Sequence, residues 1–275
     1  MADNAAALEA ETASGAAERS TERTGFSAGR MMAVMRKELR SYFAFPLVYV
    51  ISGIFLVLTG IYAYTDLVNF MTMAFARDII QNYWQLLFSD IRLALLLTLP
   101  FITMRLFAEE RKLGTVELLY TYPLRDSEIL CGKFLASVVI FALMLALTLL
   151  YPVFTYSIHV FPLFPLFAGY LGLFLIGCSF IACGVFISSL TESTVLAGIC
   201  TIIFLLFLWI VNWNEAAVSA GGLEAFRMIS LFDQFNGFAK GVIDLYNVTY
   251  FIFFIGFFLY LTQRSMEARK WTGRR

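Results

Sequence analysis

Ten charged side chains crowd into the 29 residues from Arg105 to Lys133, RLFAEERKLGTVELLYTYPLRDSEILCGK, between two long apolar stretches. Glu109, Glu110, Arg111 and Lys112 form a charged run, and Gly114-Thr115 supplies a flexible turn followed by a helix N-cap. Val116 to Tyr122 then reads as a short helix that carries Glu117, offers Leu118, Leu119 and Tyr122 as apolar contacts, and stops at Pro123. Asp126 or Ser127 is positioned to cap the next helix, with Glu128 in its first turn. These residue types make and break no bonds. Glu109, Glu110 and Arg111 suit electrostatic registration against a partner, and the Leu-Leu-Tyr set needs a surface that will bury it.

Other reactive residue types do not assemble into a site. The four cysteines, Cys131, Cys178, Cys183 and Cys200, contain no CxxC pair, and three lie in apolar runs, where a thiol acts as a small packing group. His159 is the single histidine, so a His-based metal cluster, a Ser-His-Asp arrangement and a Cys-His dyad all lack partners. Gly132-Lys133 is followed by Phe134 and has no upstream glycine, so it is not a phosphate-binding loop. The chain therefore reads as a non-enzyme without its own cofactor or metal, and if ATP drives it, another subunit binds the nucleotide. The Asn247-Val248-Thr249 glycosylation pattern abuts an apolar run and is read as chance.

What positions the polar segment is a set of membrane helices. The chain has 275 residues, 60% of them hydrophobic and 15% charged, and a mean hydropathy of +0.77, values of an integral membrane protein. A spanning helix needs about 20 apolar residues. That length places spans near Leu47 to Tyr64, Phe134 to Ile158, Leu166 to Ser188, Thr194 to Trp213 and Val248 to Thr262, with Pro162 and Pro165 breaking the longest run. A sixth, about Leu86 to Phe107, carries Asp90 and Arg92 near one end, where both can snorkel to the interface. The fold class is thus all-α, with six spans.

Sorted by side, sixteen of the 20 Lys and Arg residues precede span one, lie between spans two and three or follow span six; Arg77, Arg92, Arg227 and Lys240 fall on the other side. The positive-inside rule then makes both termini cytoplasmic. No Lys, Arg, Asp, Glu or His falls near the midplane of a predicted span, which argues against an ion-coupled carrier. No basic stripe interleaved with aromatics suggests nucleic acid.

Residues 1-30, rich in Ala, Glu, Ser, Thr and Gly, are expected to be disordered, and no cleavable signal peptide precedes span one. Over 31-45, Met32, Met35, Leu39, Tyr42 and Phe43 recur opposite Arg36, Lys37, Glu38 and Arg40, the pattern of an amphipathic helix on the cytoplasmic membrane surface.

The stretch PFITMRLFAEERKLGTVELLYTYPLRDSEILCGKFLAS resembles type-2 ABC-transporter permeases, in particular the gliding-motility-associated permease family of bacteria. MRKELRSYFAFP, GVFISSLTES and GVIDLYNVTYF resemble it as well, so the likeness runs from Met31 to Trp271; the N-terminal extension is untypical, and Ser193 stands where the family pattern has Asn. The resemblance implies a six-span permease domain over 31-271, followed by a cytoplasmic tail at 272-275. It also implies a cytoplasmic coupling segment at 105-133 and an outer region at 214-247 folded into short re-entrant helices. Glu109, Glu110, Arg111, Gly114, Thr115, Glu117, Leu118, Leu119, Tyr122 and Pro123 would meet the ATPase. The protein would sit in the bacterial inner membrane and pair with a second permease copy or a paralogue. Two ATP-binding subunits would hold ATP and Mg, and a large auxiliary membrane protein with an outer domain often accompanies such permeases. The implied function is ATP-driven transport, with a preference for export. A membrane anchor or assembly component without transport of its own, and an ion-coupled carrier or channel, stand as the alternatives.

Overall fold

The computed structural model describes residues 27–72, 83–112, 114, 125–157, 162–213 and 230–272, and among these all regular structure is helical. α1 (Ala28–Ala44) stops at Phe45, whose extended backbone is what the following proline demands, and Pro46 opens α2 (Pro46–Thr72). Then come α3 (Gln85–Thr103), α4 (Arg105–Lys112), α5 (Asp126–Leu147), α6 (Leu150–Tyr156), α7 (Leu163–Leu190), α8 (Thr194–Trp213), α9 (Leu231–Ala239) and α10 (Leu245–Thr272).

Five helical stretches are long and apolar enough to cross a membrane: Pro46–Thr72, Gln85–Lys112, Asp126–Tyr156, Leu163–Leu190 and Leu245–Ala268. Thr194–Ile210 is apolar but shorter. The predicted spans near Leu47, Leu166, Thr194 and Val248 each fall on one helix, those near Leu86 and Phe134 run over two successive helices each, and α2 and α10 continue well past the predicted ends.

α7 is the centre of the bundle, its small residues turned towards the neighbouring helices. A Cβ at Gly169 would overlap the Phe88 ring of α3, one at Gly177 the Phe141 ring of α5, and one at Gly172 the Phe238 side chain of α9. Small residues let helices approach closely where no hydrophobic driving force between helices exists. Phe141, Phe180, Phe232, Phe235 and Phe238 are fully buried as a result. α9, inside the predicted outer region, is buried on this core through Leu231, Phe232, Phe235 and Phe238, and starts on Ser230, whose hydroxyl accepts from the Asp233 N–H. Gly241, with φ +83°, turns the chain from α9 towards α10.

Arg92 of α3 lays its guanidinium over the rings of Phe232 and Phe235 of α9, 5.0 Å from each centroid, a cation–π contact that offsets its partial burial. α2 continues beyond the predicted span end at Tyr64, so Asp66 lies within the helix, only 8% exposed, beside Asp90 of α3, and a hydrogen bond between the two carboxyl groups requires one of them to hold a proton.

Candidate functional site

The charged exit of the second long helix is held by an interruption in that helix. α3 contains Pro100, which lacks a donor, and the helical pattern breaks at Met104 before α4 resumes. Ser188, near the end of α7, fills the break. Its hydroxyl accepts from the N–H groups of Phe107 and Ala108, both at 3.2 Å, and donates to the Met104 carbonyl at 3.1 Å. Inserted side chains of this kind are a recognised cause of sharp bends. A Cβ on Gly184 would overlap Thr103, so α7 packs directly against the break. The interruption lies four residues beyond Pro100. Ser188→Ala is expected to leave two buried donors poorly satisfied and to lower stability by about 1–3 kcal/mol; thermal unfolding in detergent would register it.

Beyond the break, α4 turns its charges inward. Arg105 grips Glu109 with two hydrogen bonds, 2.6 and 2.7 Å, and stacks over Phe45, 4.0 Å from the ring centroid, at the junction of α1 and α2. Glu110 Oε1 lies 2.9 Å from Lys133 Nζ and 3.4 Å from Lys37 Nζ. Arg111 follows, partly exposed, and α4 closes on Gly114, whose φ of +67° is left-handed and whose N–H returns to the Arg111 carbonyl at 3.1 Å.

Lys133 is the centre of the arrangement. It sits in the second turn of α5 with its side chain 1% exposed. Its ammonium donates to Glu38 Oε1 of α1 at 3.0 Å and to the Leu106 carbonyl of α4 at 2.8 Å, beside Glu110, and lies 5.3 Å from the centroid of Phe107. One cation therefore ties three helices. Burial at this depth is tolerable because each donor direction meets an oxygen and two carboxylates supply the counter-charge.

α1 runs beside the first turns of α5 in the same direction. Its start is held by Glu128, which is fully buried and accepts from the Ser27 N–H at 2.8 Å, with Arg30 at 3.9 Å. Midway, Val34 packs where Gly132 leaves no Cβ. Towards its end, the buried Tyr42 hydroxyl donates to the Ile102 carbonyl and meets Ser137 Oγ, both at 3.1 Å. Burial pushes the Tyr42 phenol well above its ordinary range, so it serves as a neutral hydrogen-bonding group.

The buried face of α1 is Val34 and Tyr42, with Glu38 turned in to Lys133, whereas Met32 and Phe43, expected on the apolar side, lie exposed beside Arg36 and Arg40. The α5 cap also differs from the Asp126 or Ser127 expectation. Asp126 is the first helical residue, and the cap is Arg125, whose N–H is bonded by Glu128 Oε2 at 3.1 Å.

Of the predicted site residues, Glu109, Glu110, Arg111 and Gly114 lie together on α4 and its end, the two glutamates already engaged within the chain. Thr115, Glu117, Leu118, Leu119, Tyr122 and Pro123, with the short helix expected there, lie outside the described residues. Sequence reasoning missed Glu38, Tyr42, Lys133, Ser137 and Ser188. The available signal was Lys133 itself, a cation set at the start of a long apolar helix and therefore in need of partners.

The family model described as ABC-2 family transporter protein matches residues 32–231. No curated protein matches the chain. The matched range takes in most of α1, the broken helix, the Lys133 centre and the whole of α7. The chain belongs to the ABC-2 family of transporter proteins, and is thus a multi-pass transmembrane subunit of an ABC transporter that works with an ATP-binding subunit.

Proposed function

We propose that this subunit is a six-span permease of the bacterial inner membrane that forms the translocation pathway as a dimer and exports its cargo. In this reading 105–133 is the coupling segment, and its stretch around Gly114 to Pro123 enters the ATP-binding subunit. The observation that carries it is the Lys133 centre, where α4 leads directly into that stretch and is tied through one buried cation to α1 and α5. A displacement delivered to the stretch reaches α4 first. It then passes to α1, and so to α2, and to α5 through bonds that cannot stretch independently. Two-state packing of this kind converts small local shifts into helix movements. Leu118, Leu119 and Tyr122 supply the buried contact with the ATPase. Glu109 and Glu110 act from within, by fixing the angle at which α4 leaves the bundle.

Six spans are supported by α8, whose 20 helical residues extend about 30 Å at 1.5 Å per residue, enough for the hydrocarbon core. An even number of crossings puts both termini on the Lys- and Arg-rich side, taken as cytoplasmic. α1 leads into α2 from that side. The quoted sequence stretches favour the gliding-motility-associated branch, with a large auxiliary protein as a further partner.

Two measurements test this reading. Cysteines introduced at Lys112 and Val242, both exposed, should be labelled from opposite sides of the membrane, Val242 from outside; labelling of both from one side overturns the six-span topology. The complex purified with its ATP-binding subunit should weigh as two permeases with two ATPases, and a single permease copy per complex overturns the dimer.

A further inference from the structure

We propose that Arg36 and Arg40, with Leu39 and Phe43, form a seat for an anionic phospholipid, the arginines holding its phosphate and the apolar pair its first acyl carbons. The proposal rests on the reading of α2 as a spanning helix. Other cations near this end of the bundle are engaged: Arg30 by Glu128, Lys37 by Glu38 and Glu110, Arg105 by Glu109, and Lys133 by Glu38 and Glu110. Arg36 and Arg40 are exposed, have no acidic partner among the described residues, and stand one helical turn apart on the face of α1 turned away from α5. Together with Leu39, Phe43 and Ala44 they line a surface hollow. Two guanidinium forks at this spacing match the planar, multidentate recognition of a phosphate.

The depth of this face follows from its attachment. Phe45 alone separates α1 from α2, and the Tyr49 hydroxyl in the first turn of α2 donates to the Phe43 carbonyl at 3.2 Å. The rings of Phe43 and Tyr49 are 6.5 Å apart, and Phe43, Phe45 and Tyr49 are 45, 44 and 58% exposed. An exposed aromatic group at the mouth of a spanning helix marks the headgroup level. Arg40 lies about one and a half turns, or ~8 Å, before that mouth, within snorkelling reach of the phosphates. The exposed apolar surface of Phe43 continues along α2 through Tyr49, Val50 and Ile54, so the occupant that meets both the charge and the apolar flank is a lipid of the inner leaflet.

The test uses the full chain in neutral detergent, titrated with phosphatidylglycerol or phosphatidylcholine and read by native mass spectrometry. Soluble glycerol phosphate serves as competitor, and Lys240→Gln, an exposed cation elsewhere, as control. The expected result is preferential retention of phosphatidylglycerol, weakened about tenfold or more in Arg36→Gln/Arg40→Gln, given the contribution of each basic residue near an anionic surface. Lys240→Gln should leave retention unchanged, and glycerol phosphate should not compete. Equal retention by wild type and the double variant overturns the proposal. So does displacement by glycerol phosphate, which would make the seat one for free phosphate. Loss of the ATP-binding subunit from the double variant with lipid retention intact would instead assign the face to that protein. Failure of the spanning reading of α2 would appear separately, as labelling of cysteines at Ala33 and Thr72, both exposed, from one side of the membrane.

Discussion

Replacing Lys133 with methionine is expected to destabilise the protein by about 3–5 kcal/mol, because it removes one partner of a buried ionic group and leaves the others uncompensated. Glu38 and Glu110, with side chains 12% and 17% exposed, would face each other across the space the ammonium vacates, and the Leu106 carbonyl would lose its donor. Lys37 lies near both carboxylates, but its side chain is 62% exposed and offers a weaker counter-charge. The loss should appear as a lower melting temperature in detergent. The triple variant Glu38→Leu/Lys133→Met/Glu110→Leu separates stability from relay. An apolar replacement of a whole buried ionic cluster is often neutral for folding, so the triple variant should regain much of the stability. It should still fail to transmit, because slippery side chains would stand where directional bonds stood. ATP hydrolysis that no longer responds to reconstitution with the permease would be the readout. Normal coupling in a stable triple variant would remove the relay assignment.

Leu119→Asp is expected to abolish copurification of the ATP-binding subunit without affecting membrane insertion. A central apolar contact in an interface is commonly worth 2 kcal/mol or more, a factor of about thirty in affinity. Placing a carboxylate there also adds a desolvation cost that no partner repays. The residue lies between the end of α4 at Lys112 and the start of α5 at Asp126, both fixed by the Lys133 centre and by Glu128. Folding of the bundle should therefore not depend on it. Unchanged association in a correctly inserted variant would show that the stretch around Gly114 to Pro123 is not the docking segment. A fall in melting temperature equal to that of Lys133→Met would mean the leucine is structural.

The parts of this fold that depend on composition were legible in the sequence, because about 20 apolar residues in a row have few alternatives to a membrane helix. Span ends were less legible. The first predicted span ends near Tyr64, yet α2 carries on to Thr72 and takes Asp66 into the helix. The charged exit from the second long helix was visible as EERK, but its orientation was not. Glu110 resembles a free docking group until Lys133 and Glu38 are brought to it across 23 and 72 residues of chain. Ser188 shows the same limit in its purest form. One hydroxyl among several in a Ser- and Thr-containing stretch becomes the filler of a helix break 80 residues away only once α7 packs there. Amphipathic periodicity on α1 likewise identified a two-faced helix, while the choice of face was made by Gly132 and Ser137 on α5.

The glycine-for-phenylalanine exchange along α7 bears on where cargo travels. Rings from α3, α5 and α9 occupy the space that a through-passage in one chain would need, and close packing makes that space costly to reopen. By contrast α2 and α10 keep most of their surface outward. On the proposed reading of an exporting dimer, cargo would slide along those outward walls, and the opposite bank of the trench would come from the second permease.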